Sequence, residues 1–132
     1  MVETALVLPI FVMIVLGIVE FGRAFMVANL LAESARHGAR IAILPGSSNA
    51  SVEAEVKSRV SELVRVSDSD VAVDITVTAH PLNPESNGQL EDSMKRDLVT
   101  VVVSVPFNKV NVMPIEWLSS TNLRGSCAMR HE

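Results

Sequence analysis

The chain of 132 residues has one cysteine, one tryptophan and no tyrosine, and aromatic residues make up only 4% of it. A single cysteine excludes an intrachain disulfide and any multi-cysteine metal site. There is no basic excess either. Eleven Lys and Arg face fifteen Asp and Glu, for a net charge of −4, which argues against a general nucleic-acid binder. No Gly-rich phosphate loop and no G-x-S-x-G motif occurs, and His37, His80 and His131 lack metal-ligand spacing. No catalytic residue, metal, cofactor, nucleic acid or small-molecule substrate is therefore expected, and the chain does not read as an enzyme. Disorder is excluded too. Apolar residues are 48% of the chain and the mean hydropathy is +0.35, far too apolar for an unfolded segment. The length bounds the chain to one modest domain, or one domain plus an anchor.

The apolar excess is concentrated at the front. Thr4 to Val19, TALVLPIFVMIVLGIV, carries no charge over sixteen residues, just short of the roughly 17–25 of a self-sufficient membrane span. A secretory signal peptide is the alternative reading, but it needs a basic segment before the apolar core. Here Glu3 stands where that charge belongs. As part of an anchor, Glu3 is a carboxylate at the lip of a bilayer and needs a partner or water.

Helical periodicity continues past Val19. No proline follows until Pro45, where Pro45-Gly46 is a stop signal. A helix over 3–44 is about 60 Å long, twice the hydrocarbon thickness of a bilayer. Its rear half carries Ala24, Ala28, Leu31, Ala35, Gly38 and Ala42 in steps of four and three, one helix face of small residues suited to close packing against the rest of the chain. Arg23, Glu33, Arg36, His37 and Arg40 lie opposite. Glu20 with Arg23, and Glu33 with Arg36 or His37, have the spacing of intrahelical ion pairs. Pro9 predicts a kink or a melted turn near residues 5–9, and Gly17 and Gly22 are further weak points.

Residues 45–132 read as a small α+β head. A polar loop, GSSNAS, precedes a helix over about 50–65, with Asn49 or Ser51 as cap and Glu53 and Glu55 in its first turn. Asn49-Ala50-Ser51 also matches a glycosylation sequon, a weak signal beside capping. Alternating residues predict strands over about 71–78, 98–105 and 122–130. Val110–Val112 is a candidate short strand, and Ile115, Trp117 and Leu118 are candidates for a plug at the core edge or an exposed apolar contact. Residues 79–96 read as a long surface loop. Helices followed by strands, without βαβ alternation, favour an antiparallel sheet packed on the long helix. Candidate chemistry is sparse. His80 with Glu85, Glu91 and Asp92 shares an acidic loop without the regular oxygen spacing of a hard-cation site. Cys127 sits on an alternating strand face as a small buried apolar residue, and Asp68 and Asp70 bracket a turn.

The motifs VETALVLPIF, GIVEFGRAF and NLLAESARHGARIA, with the closing AMRHE, resemble the TadE-like pilin and pseudopilin family of tight-adherence (type IVc) pilus systems. The resemblance is specific over residues 2–44 and general in the head. It implies a type IV pilin-like fold and a precursor whose short basic leader is removed by a prepilin peptidase. It implies a helix that waits in the bacterial inner membrane until the pilus assembly machinery draws it into an extracellular pilus or a periplasmic pseudopilus. Its partners would be copies of itself or other pilins. Glu3 takes the place of the pilin glutamate that docks a subunit on a neighbour's N-terminal amine. Pro9, Phe11, Glu20, Phe21 and Arg23 complete the implied assembly segment. The expected function is a structural subunit of a Tad surface filament serving adhesion. The alternative is a low-copy minor pseudopilin that primes or caps assembly. A monomeric single-pass protein whose head binds an envelope partner, and a secreted enzyme, are competing classes.

Overall fold

A computed structural model describes residues 2–84, 87–111 and 120–131. One helix, α1, runs from Val2 to Ala42 without interruption, about 60 Å at 1.5 Å per residue. The melted turn expected near Pro9 is absent. Proline removes one donor from the ladder, but its own fixed φ is helical. The helix stops at Ala42, two residues before the expected Leu44. Gly46 takes a φ of +85°, and the Ser47 hydroxyl donates to the Ile41 carbonyl at 2.6 Å, satisfying an acceptor that the helix end orphans.

The second helix, α2, spans Asn49–Val64. Its cap is Ser48, not Asn49 or Ser51 as cap residue. The Ser48 hydroxyl accepts from the Ser51 amide at 3.2 Å, and the Ser51 hydroxyl accepts from the Ser48 amide at 3.1 Å, a reciprocal capping box. With the start at Asn49, Glu53 and Glu55 fall in the second turn. Glu53 pairs with Lys57 at 2.6 Å. Val52, Val56, Val60 and Val64, four residues apart, are all buried.

Three strands follow: β1 at Ala72–Thr78, β2 at Leu98–Pro106 and β3 at Asn122–Arg130. They form an antiparallel sheet in the order β1-β2-β3. The architecture is the expected α+β one, a long apolar helix packed on a small antiparallel sheet. Val110 ends a 3₁₀ turn over Phe107–Lys109 rather than starting a strand; Val112, Ile115, Trp117 and Leu118 lie outside the described residues.

Both helices cover the same face of the sheet. α1 lies on β3 and β2, and α2 lies on α1 and β1. Period-two alternation puts Val99, Val101, Val103 and Val105 on that face, all fully buried. Each buried valine contributes about 1.5–3 kcal/mol of transfer free energy. They are the middle of cross-strand rows: Val77–Val99–Met129, Ile75–Val101–Cys127 and Val73–Val103–Gly125. Cys127 is half-buried beside this core rather than buried in it.

Gly125 is where the helix comes closest. A Cβ built there would overlap the Leu31 carbonyl carbon and the Ala32 amide, and would lie 2.7 Å from Ala32 Cα. The Val73–Val103–Gly125 row is thus a notch that admits α1 backbone. Gly38 plays a milder part on the other side of α1, where an added Cβ would meet Val56 Cγ2 at 2.6 Å.

Candidate functional site

The candidate site is the N-terminal two-thirds of α1. From Leu6 to Val19, twelve large apolar side chains are exposed, although only about 300–600 Å² of contiguous apolar surface is usual on a soluble monomer. The stretch is apolar on all sides, so no single neighbouring face can account for it. By length and composition α1 meets the requirement for a membrane-crossing helix, with an 18-residue stretch of mean hydropathy 2.2 within Leu6–Ala42. Glu3 lies in the first turn. Pro9 and Phe11 are exposed within the apolar run.

The exposed surface changes character at Glu20. This carboxylate is buried, with 6% of its surface accessible. One turn on, Arg23 Nε donates to the Val110 carbonyl, tying α1 to the turn that follows β2. Phe21 and Phe25, on the other side of the helix, are 79% and 71% exposed. The structure therefore divides the expected assembly residues. Pro9, Phe11 and Phe21 lie on surface free of the head, whereas Glu20 and Arg23 lie where the head meets α1.

Of the small-residue stripe, Leu31, Ala35, Gly38 and Ala42 are buried, while Ala24 and Ala28 are half-buried. The buried set also includes Val27, Ser34 and Ala39, so the packed face is wider than the stripe read from sequence. The charged side of α1 pairs across helices, not along one. Glu33 lies 3.9 Å from Arg59, and His37 lies 4.0 Å from Glu55. Both pairs are partly exposed and worth little individually.

Sequence reasoning missed Asp97 altogether. It has no accessible surface and ends the 79–96 segment. Its Oδ1 accepts from the His80 amide at 2.9 Å and from Asn83 Nδ2 at 2.7 Å, and its Oδ2 accepts from the Met94 amide at 2.8 Å. Burial alone raises its pKa. The two amide donors, the Asn83 amide and the electrostatic attraction of His80 outweigh that, and hold it below the ordinary carboxylate value. The segment read as a free surface loop is thus gathered around one carboxylate.

Asn49 holds the same segment from the other side. Its Oδ1 accepts from the Leu90 amide at 2.9 Å, and Leu90 is buried in the core. The side chain is a tie between α2 and the loop. Asn49→Ala is expected to cost about 1–2 kcal/mol, since the Leu90 amide is left without its acceptor. Hydrogen exchange should show faster exchange at Leu90 with the sheet unchanged.

No group of three or more His, Cys, Asp or Glu side chains among the described residues is placed to hold a metal ion. His80 Nδ1 accepts from the Leu82 amide at 3.3 Å; Glu85 lies outside the described residues. A hollow of about 510 Å³ lined by Val77, Ala79, Asn83 and Gly88 has His80 as the one titratable side chain among the described residues of its lining.

No curated protein and no solved structure matches the chain. Residues 1–40 match the family model described as TadE-like protein, and those residues are nearly all of α1. The match to the TadE-like family thus falls on the exposed apolar helix and not on the head, and a hydrophobic N-terminal helix of this kind fits a subunit of a Tad pilus-related system.

Proposed function

We propose that the chain is a structural subunit of a Tad-type surface filament. α1 is held in the inner membrane before assembly and in the filament core after it, and the filament serves adhesion. The observation that carries this is the exposed all-round apolar surface from Leu6 to Val19, rigidly continuous with a folded head. A helix of aliphatic residues exchanges lipid for other helices with little change in apolar burial. Glu3 then pairs with a cation of the neighbouring subunit, the N-terminal amine being the natural one. A prepilin peptidase and the assembly machinery act on the N-terminal segment. In this scheme the small residues of α1 hold the head close, Pro9 permits local stretching where helices crowd, and Phe11 and Phe21 face neighbouring helices.

Sheared cell-surface material imaged by cryo-electron microscopy, with its main component identified by mass spectrometry, tests the reading. Uniform filaments built of this chain support it. Filaments of another subunit, with this chain confined to the inner membrane or present in traces, would identify it as a minor pseudopilin instead. Glu3→Ala is expected to reduce filament yield at least about tenfold, the scale of losing one buried charge pair, while the head's thermal unfolding in detergent stays unchanged. Equal loss of head stability would place Glu3 in folding rather than in docking.

A further inference from the structure

The apolar surface of α1 continues past the end of its uncharged run, but on one side only. Phe21, Gly22, Phe25 and Met26 are all exposed, in line with Ile18 before them. Helical spacing puts this side opposite Glu20, Val27 and Leu31, which are buried. The next residues on the exposed side are Asn29, Glu33, Arg36 and Arg40, all exposed and polar. The change from apolar to polar therefore comes after Val19 on the side of the head and after Met26 on the far side.

Length favours the far-side boundary. The uncharged run of sixteen residues spans about 24 Å, short of the roughly 30 Å of a bilayer's hydrocarbon core. Counted back from Met26, about 30 Å of helix begins at Leu6. The span Leu6 to Met26 holds two charged residues, Glu20 and Arg23, and both are on the side of the head. There Glu20 has 6% of its surface accessible, and Arg23 Nε donates to the Val110 carbonyl. Asn108 and Lys109, both exposed, belong to the turn before Val110. Lys109 Nζ lies 3.3 Å from Asp70 Oδ1, so the 68–70 turn stands beside it. A level boundary at Glu20 would instead leave Phe21, Phe25 and Met26 in water, at 79%, 71% and 62% exposure.

We propose that α1 crosses the membrane tilted, with its Phe21–Phe25–Met26 side in lipid and the 107–110 turn of the head resting on the headgroups at the other side. The inference rests on the membrane-held stage of the reading above and adds where the head stands in it. A lipid boundary that crosses a helix obliquely is a tilted helix, and side chains anchored at the boundary set the tilt. Arg23 reaches Val110 through Nε, and its terminal N–H groups suit lipid phosphate. The helix is continuous from the apolar run into the head, so no linker holds the head away from the surface. On extraction into a filament the Phe21–Phe25–Met26 side passes from lipid to neighbouring helices.

Fluorescence quenching of the full-length chain in vesicles of phosphatidylcholine and phosphatidylglycerol tests this. A bimane label is placed on one introduced cysteine at a time, and the wild-type chain, with Cys127 alone, gives the background. The quenchers are a lipid with a nitroxide in its acyl chain, a lipid with a nitroxide on its headgroup, and aqueous iodide. Met13→Cys reports the middle of the span, Phe25→Cys the far side and Asn108→Cys the turn of the head. Gln89→Cys reports the end of the head away from the membrane, where Leu90 and Leu44 line one hollow. All four side chains are exposed. The acyl-chain nitroxide is expected to quench the Met13 and Phe25 labels at least about twofold, and the headgroup nitroxide the Asn108 label at least about twofold. Iodide alone should reach the Gln89 label. Should the Asn108 variant unfold, Ser69→Cys repeats the measurement from the neighbouring turn. A Phe25 label quenched by iodide and by neither lipid puts the boundary at Val19 and overturns the proposal. So does a head label that the headgroup nitroxide does not reach, which would hold the head off the surface. A Met13 label untouched by both lipids is a separate result, and removes the membrane-held reading together with this one.

Discussion

Gly125→Ala is expected to destabilise the head by at least about 3 kcal/mol, at the upper end of overpacking costs. The added methyl would meet backbone, namely the Leu31 carbonyl carbon and the Ala32 amide and Cα. Backbone in the middle of a 41-residue helix cannot turn aside as a side chain can. Relief requires α1 to lift from β3, which uncovers the row Val73–Val103–Gly125 and loosens the fully buried Val103. In a head of this size 1 kcal/mol corresponds to about 4–8 °C, so the transition should fall by more than about 10 °C in circular dichroism of the full chain in detergent. Gly38→Ala supplies the internal comparison. Its nearest obstacle is Val56 Cγ2 at 2.6 Å, a side-chain methyl that can move by a rotamer change, so its cost should be smaller, about 1–2 kcal/mol. If the two variants melt alike, the close approach at Gly125 is not what limits helix–sheet packing.

The second large effect belongs to Asp97. Asp97→Ala leaves the amides of His80 and Met94 and the side-chain amide of Asn83 without their acceptor. Each orphaned donor costs about 1–3 kcal/mol if it stays buried. Part of the segment will open to water instead, so a net loss of about 3 kcal/mol is expected. Hydrogen exchange should report it first at the His80 and Met94 amides. The wild-type group also has a signed pH dependence. Its folded pKa is lowered from the ordinary 3.8, so between those two values the unfolded chain binds more protons than the folded one. The stabilisation is therefore complete above the unfolded value and is lost as pH falls through the folded value. Acid unfolding of the wild-type chain should include this loss below about pH 4, and Asp97→Ala should lack that part of the slope. An identical acid slope in both proteins would remove Asp97 from the pH response.

These two residues show where sequence reading stops. Asp97 stands in MKRDLV, one more acid at the end of an acidic, proline-containing stretch, and no local pattern marks it. Its importance arises because His80, Asn83 and Met94, from the two ends of one loop, return to the same point. Gly125 alternates with Arg124 and Ser126 as any inward strand position does. That it faces helix backbone depends on how far α1 slides along β3. The pairing of Glu33 with Arg59 and of His37 with Glu55 likewise depends on the relative rotation of two helices. Intrahelical spacing pointed to Arg36 and His37 as partners of Glu33, because sequence displays only neighbours along the chain.

What sequence alone determined is the periodic part of this protein. An uncharged run from Thr4 to Val19, a helical stripe behind it and valines at every second position from 99 to 105 each state a local conformation and its apolar face. The first 40 residues also carry a recognisable family pattern. Together they specify a long apolar helix on a small antiparallel sheet, since burying those faces leaves few other arrangements. Only the tertiary structure decided which glycine admits the helix, which carboxylate closes the loop, and how Glu20 is buried and Arg23 tied to the turn after β2 while Phe21 and Phe25 stay outside. Those are contacts between segments far apart in the chain. Their energies depend on distances of tenths of an ångström and on the mutual rotation of elements, and neither quantity has a one-dimensional signature.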